Sequence, residues 1–392
     1  MGLFKLHRVM LLTELHLKSD ILKECCDSIT LDDKDDYAWQ SEKEVVRKNI
    51  DENLYVIKNV PRYLNITFFD YKNLKTQVFP SITGFAISLG NYNDIDSYMR
   101  DQFKSKARSQ LLRRVKRLEK CYDITYKRYY GKIDRDDCLA LLAILKGMII
   151  TRFKERNQVS DSLKNWLEIE TSLHSLINDK KASLFVIYNE GVPISISICY
   201  HYGNVFFSYI DSYDVNYFKF GLGNIMIYKK LEICFENNYK FLDMGWGELD
   251  YKRRWCNYIY NYEHHILLPN NSLPAYLIAL WEGNKTRLNV YLKSSKVSLI
   301  FKKAKSAFKT ETNHDENTIN YSLENHENLA SLSNISPIDL NDEKNFYFKT
   351  IINDFIYTTE EYYLDVKLYN LPKKGFYVIR GKNNCKKIVF QE

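Results

Sequence analysis

Two glycines flanking a leucine, Gly221-Leu222-Gly223, stand between a run that alternates like a strand and a run with helical periodicity. No other junction narrows so far what this chain can fold into. Glycine lets the backbone turn tightly where a strand hands over to a helix, and the free amides at the start of a helix suit phosphate oxygens. A Gly-x-Gly in such a place also serves as a plain tight connection, so its neighbours decide its meaning. Upstream, Tyr122–Tyr129 alternates as a strand, 136–156 and 161–178 read as two helices, and Leu184–Tyr188 begins another strand. Asn189-Glu190-Gly191 and His201–Asn204 read as hairpin turns leading into Val192–Tyr200 and Val205–Ile210. Downstream, the spacing predicts a helix from Leu222 to about Asn237, a short strand Phe241–Met244, a helical segment Glu248–Trp255 and a strand Tyr260–Leu268. The order is strand, two helices, three-stranded meander, helix, strand, helix, strand.

The flanks are less regular. Residues 1 to about 50 read as helical and end in the acidic stretch 32–36, and NLYVIKNV, YLNITFFDY and GFAISLG read as strands, so 1–93 forms a mixed unit of its own. Asp94 or Asp96 caps one long helix to about Lys120, on which Phe103, Ala107, Leu111, Leu112, Val115 and Leu118 make one apolar stripe. After a core segment 121–268, Leu273–Trp281 and Arg287–Lys309 read as two helices within 269–309, the second lysine-rich. Residues 310–344, rich in Asn, Ser and Glu, read as a flexible linker, and 345–392 as a small strand-rich module.

With 392 residues, 45% apolar content and 27% charged, the chain is globular and long enough for more than one packed core. Its net charge of +7 concentrates locally. Between Lys104 and Lys120 stand eight Lys or Arg residues against Glu119 alone, a face for a phosphate-bearing ligand or an anionic membrane surface, or else a solvated helix face. The eight cysteines lack metal-ligand spacing and fit a reducing cytoplasm, and Cys199, Cys234 and Cys256 fall in apolar runs that suit a core. His264 and His265 are adjacent, hence on opposite faces of a strand, so no metal is expected. The charged N-terminus does not read as a signal peptide and no stretch is apolar enough to span a bilayer, which points to a cytoplasmic chain, at most peripheral to the inner face of the membrane.

Two further constellations carry chemistry. Leu242-Asp243-Met244-Gly245-Trp246-Gly247-Glu248, followed by Tyr251 and Lys252, gathers carboxylates, a phenol and a cation at one end of a short strand. General base catalysis needs a carboxylate within reach of the attacking amine, and Asp243 and Glu248 are both candidates. The plainer alternative is a turn capped by Asp243 and a helical pair between Glu248 and Lys252. Asp211-Ser212-Tyr213-Asp214 ends the strand that precedes the glycine turn, where an open sheet changes direction and ligands sit, although Asx turns look the same.

Three runs, FKSKARSQLLRRVKRLEK, YIDSYDVNYFKFGLGNIMIYKKLE and NNYKFLDMGWGELDYKRRW, resemble the CelD-like (cellulose-biosynthesis-type) acetyltransferases of the GNAT superfamily and, more distantly, the FemABX peptidyltransferases. The resemblance spans about residues 103–268. It implies an α/β (α+β) fold with a mixed, splayed central sheet flanked by helices, and a second, degenerate GNAT-like lobe at the N-terminus. It further implies acyl-CoA as co-substrate, with its pyrophosphate at the turn Lys219, Gly221, Leu222, Gly223 and Asn224. Catalysis then falls to Asp243, Glu248 and Tyr251. Asp211, Tyr213, Trp246 and Lys252 would hold an amine acceptor of a small molecule, amino sugar or cell-envelope precursor. One departure stands out: Phe218 occupies the place of the family's Gln or Arg. The FemABX likeness implies aminoacyl-tRNA as the alternative donor, and loss of the donor site would leave an inactive protein that binds an anionic partner.

Overall fold

The computed structural model describes residues 5–16, 20–31, 37–41, 53–70, 73–154, 163–294, 320–326, 336–340, 342–371 and 376–391. The N-terminal part contains β1 (Leu6–Met10), α1 (Leu11–His16), α2 (Asp20–Cys25), β2 (Cys26–Leu31), β3 (Tyr37–Gln40), β4 (Leu54–Pro61), β5 (Leu64–Phe68) and β6 (Leu74–Ser88). The first fifty residues are therefore not helical throughout: two one-and-a-half-turn helices sit between short strands. Apolar residues such as Ile29 and Leu31 alternate too briefly there for period to separate helix from strand.

The expected single helix to Lys120 is two, α3 (Ile95–Gln102) and α4 (Ser105–Cys121). Asp94 caps α3 through a 2.6 Å bond from the Ser97 amide. Phe103 then leaves helical geometry (φ −122°, ψ 134°) and sets its ring edge-on against Trp255, with centroids 4.8 Å apart. The stripe that read as one helix thus serves two, with Phe103 as the packed corner.

The middle of the chain follows the expected order: β7 (Ile124–Tyr129), α5 (Arg135–Lys154), α6 (Trp166–Asn178), β8 (Ala182–Asn189), β9 (Val192–Tyr202), β10 (Val205–Tyr213), a 3-10 segment Val215–Phe220, α7 (Leu222–Glu236), β11 (Phe241–Trp246), α8 (Asp250–Trp255) and β12 (Tyr258–Pro269). α9 (Leu273–Ser294) runs unbroken where a stop was expected near Glu282-Gly283. Gly283 is a packing residue: a Cβ there would fall 2.2 Å from the Phe79 ring. The remainder of the second expected helix lies outside the described residues, as does most of the expected linker. Within that stretch Tyr321–Asn325 is a strand, β13. The tail is not simply strand-rich, because α10 (Phe348–Thr359) precedes β14 (Lys367–Leu371), β15 (Phe376–Arg380) and β16 (Cys385–Phe390). Phe348, Ile351, Ile352, Phe355 and Ile356 recur at helical spacing and are all buried.

One nine-stranded sheet in the order β1-β4-β12-β6-β11-β10-β9-β8-β7 organises the molecule, flanked by helices. Only the β1–β4 and β10–β11 contacts are parallel among its pairs. β6 inserts between β11 and β12, and β12 separates β6 from β4, so β1, β4 and β6 of segment 1–93 complete the sheet of the later segment, while β3, β2 and β5 form a small sheet of their own. α5 and α6 cover one face of the meander through Leu142, Leu145, Ile169 and Leu173 against Ile196, Ile198 and Ile210. α4, α7 and α10 cover the other through Leu118, Ile225 and Phe355 against Ile187 and Phe206. Covered on both faces, β8 reads as a continuous apolar run, with its first six residues buried. A second, four-stranded antiparallel sheet, β13-β16-β15-β14, carries α10 onto that layer.

Candidate active site

β10 and β11 pair only at Val205–Phe207 with Phe241–Asp243. Beyond that register β10 continues along β9 to Tyr213, while β11 turns off toward Trp246. The sheet therefore splits, and a cavity of about 690 Å³ opens in the gap. Its walls are the far half of β10, the start of α7, Met244 at the end of β11, Tyr251 and Lys252 of α8, and Tyr357 of α10.

The glycine turn forms its floor. Gly221 has φ 71°, a conformation that side chains rarely adopt, and it starts α7 directly from the 3-10 segment. The amides of Leu222 and Gly223 fall in the first turn, whose donors have no acceptor within the helix. Arg114 of α4 stands over this turn, so that a Cβ at Gly221 would lie 3.2 Å from its Nη1. Lys219, on the same rim, is held by Asp354 of α10 at 2.6 Å, and Phe218 is three-quarters exposed beside it. Asn224 lines the cavity and accepts a 3.0 Å bond from the Trp255 indole, which locks α8 to α7. Leu222 packs into the core beneath.

On the β10 wall, a bulge between Ser208 and Ile210 changes which side chains face the gap. Residues three apart in a regular strand point to opposite faces, and the extra residue brings Ser208 and Asp211 onto one side. The Ser208 hydroxyl donates to Asp211 at 2.8 Å, and Lys230 of α7, itself buried, donates to both at 2.7 and 2.5 Å. Burial alone would push the Asp211 carboxyl up, but the Lys230 ammonium and the hydroxyl donors outweigh it and hold it below the usual carboxylate range. Asp211 is thus an ionised carboxylate inside the protein that still opens onto the cavity, at 34% side-chain exposure. Burying two charges costs several kcal/mol each, roughly what their attraction returns, so stability alone gives little reason for this pair. Arg152 of α5 packs its guanidinium 4.6 Å from the Tyr213 ring, and the Ser212 hydroxyl is buried with no hydrogen-bond partner among the described residues.

The β11 wall is built differently. Lys252 donates to the carbonyls of Met244 and Trp246, each at 2.6 Å, and burial lowers its pKa against the pull of Asp243. Tyr251 lines the cavity, and burial raises its pKa above the ordinary phenol value. Asp243 is not among the lining residues. Its carboxylate accepts from the Tyr63 hydroxyl, from Tyr260 at 2.6 Å and from the Gly245 amide at 2.7 Å. Tyr202 extends this set by a 2.8 Å bond to Tyr63. Burial raises the Asp243 pKa, partly offset by those donors.

Of the residues expected from the sequence, the cavity brings together Lys219, Gly221, Gly223, Asn224, Asp211, Tyr213, Tyr251 and Lys252. It does not include Asp243, Glu248 or Trp246. Glu248 is exposed and paired with Arg253, and Trp246 is partly exposed with its ring edge toward Tyr262 at 6.0 Å. Sequence reasoning missed Arg114, Arg152, Lys230 and Tyr357. Arg114 stood out only as one of eight charges on a helix, and Lys230 hid in the Lys229-Lys230 doublet of an otherwise apolar run.

A mixed sheet that splits beside a glycine-started helix makes this an α/β protein with a cleft at a strand divergence. More particularly, residues 105–253, which hold most of that cleft, match the family described as an acetyltransferase (GNAT) domain. Curated proteins yield no match. Among solved structures the chain is similar to FemX, at 12% identity and a TM-score of 0.39 over 53% of this chain and 68% of that one. It is similar also to L-PGS from Bacillus licheniformis, at 15% identity and 0.36 over 59% and 72%. A tandem GNAT protein from the clavulanic acid biosynthesis pathway shows 5% identity and 0.29 over 54% and 63%.

Proposed function

We propose that this chain transfers an acyl group from acyl-CoA to an amine of a small molecule, amino sugar or envelope precursor. The observation that carries the reading is the convergence, in one cavity at the sheet split, of a helix first turn, an arginine, an ionised carboxylate and a phenol that keeps its proton. The donor's diphosphate rests on the α7 amides beside Arg114, which has no ion-pair partner among the described residues. Its acyl arm enters the gap between β10 and β11, and the acceptor amine meets Asp211. The nitrogen bonds to the thioester carbon and the C–S bond breaks. The proton leaving the nitrogen passes to water held at Asp211, and the departing thiolate takes the proton of Tyr251, which solvent replaces. Asp243 supports the end of β11 from behind in this reading and does not touch the reacting atoms; Glu248 lies at the rim.

Calorimetry with acetyl-CoA and longer acyl-CoAs tests it. Binding is expected for at least one of them, and Gly223→Trp, which fills the turn where a Cβ already lies 3.4 Å from the Tyr213 ring, is expected to abolish it. No heat from any acyl-CoA overturns the reading. Heat from an aminoacyl-tRNA alone moves the activity to aminoacyl transfer, the use for which a basic α4 would be apt.

A further inference from the structure

We infer that the outer face of α9 lies on an anionic lipid surface. The helix is inverted relative to an ordinary surface helix. Its inward face combines the small residues Ala275, Ala279 and Gly283, which let it sit close against β6 and β12, with buried Thr286 and with Glu282, whose charge is met by Arg8 and Lys58. Its outward face carries large apolar residues: Leu273, Leu277, Trp281 and Leu288 follow one another at spacings of four, four and seven and share one face, with Asn284 the polar residue among them. Their exposure runs from 56% for Leu288 to 69% for Leu273. Large apolar side chains grouped in this way mark an interaction surface and not a solvated one.

Charge selects the occupant. Lys285 and Arg287 emerge on either side of the apolar stripe, both exposed. From Lys285 to Lys309 the sequence places eight Lys or Arg residues and no Asp or Glu. An apolar stripe carrying a tryptophan, bordered by cations and followed in sequence by further positive charges, is the composition that settles at a headgroup boundary. No described helix is long and apolar enough to cross a membrane, so the contact is lateral. The basic helix α4, which looked in sequence like the anionic-surface element, carries no exposed apolar stripe beside its cations and has three of them engaged within the molecule. Its Arg117 and Lys120 pair with Glu360 at 2.6 and 2.7 Å, and Arg114 stands at the glycine turn.

The full chain is mixed with vesicles of phosphatidylcholine alone or with one-third phosphatidylglycerol, and bound protein is measured by sedimentation together with the Trp281 emission. Binding to the anionic vesicles with a blue shift that Trp281→Phe removes is expected. Leu277→Glu and Leu288→Glu, at positions open to water, should each weaken it at least about tenfold. Lys285→Gln with Arg287→Gln should weaken it about fivefold per charge. Three results overturn the inference: no binding to either vesicle, equal binding to both, or binding unchanged by the glutamate variants. A dimer in size-exclusion chromatography that Leu277→Glu dissolves would overturn it too, because the face then pairs with a second copy of the chain.

Discussion

Each strand at the split carries an aspartate, Asp243 at the last paired position of β11 and Asp211 four residues past its partner Phe207 on β10, and the protein treats the two in opposite ways. Asp211 meets a buried ammonium and faces the cavity; Asp243 meets phenols and an amide and is closed off. The same side chain is held as an anion on one wall and pushed toward its neutral acid on the other. Pairs of carboxyls with pKa values driven apart mark a division of labour. Here the division is between a group that opens onto the cavity and one that braces the strand end.

The strongest way to break the comparison is to remove the ammonium. Lys230→Ala leaves Asp211 charged and unpaired beside the core, and should cost about 3 kcal/mol in urea unfolding at pH 7. A cost below 1 kcal/mol would mean that Asp211 draws its charge state from solvent and that the walls are alike. On the other wall, Tyr251→Phe keeps the packing and removes the phenol proton. A drop in kcat of about 100-fold with donor affinity unchanged is expected, read from single-turnover kinetics once an acceptor is found. Equal kcat would leave the β11 wall without a chemical role.

Acid titration sharpens the contrast. A carboxyl depressed in the fold contributes stability that is present above its ordinary pKa of about 4 and lost as the pH falls through the folded value. A raised one behaves in reverse, and its contribution is lost as the pH rises from about 4 through the folded value. Relative to the parent chain, Asp243→Asn should therefore gain stability as the pH is raised above 4. Asp211→Asn should lose it as the pH is raised toward 4 from below. Parallel urea midpoints for the two variants between pH 3 and 7 would erase the distinction. The smallest effect is expected at the rim shared by neither wall: Phe218→Arg, exposed and beside Lys219, should tighten acyl-CoA binding about fivefold by adding a charge-assisted contact.

What the sequence made legible follows from local chemistry. The meander, the glycine turn and the order of the later helices rest on turns such as Asn189-Glu190-Gly191 and on unbroken apolar runs, and these formed where expected. Asp211, Tyr213, Tyr251 and Lys252 were named from strand ends and helical spacing, and they converge. The insertion of β6 between β11 and β12 was not legible, because register between distant strands leaves no local trace. The closure of Asp243 was hidden for the same reason: Tyr63 reaches it from a turn 180 residues earlier, and Tyr260 from a strand whose register against β11 is set through β6. α10 was readable in Phe348, Ile351, Ile352, Phe355 and Ile356, but the aromatic, β-branched composition of the tail drew the reading toward strands. Gly283 misled in the opposite direction, since a glycine needed for close packing looks the same as one that ends a helix.

The interleaved strand order also sets a timetable for synthesis. β4 and β6 leave a slot between them that only Tyr258–Pro269 fills. While the intervening chain is still being made, both strands present unpaired edges to each other and to any neighbour. The centre of the sheet thus closes through pairings remote in sequence, late and at a high entropic cost. A nascent chain halted before β12 would expose the apolar faces of β4 and β6, and a holdase at the ribosome exit would find its ligand in those two edges.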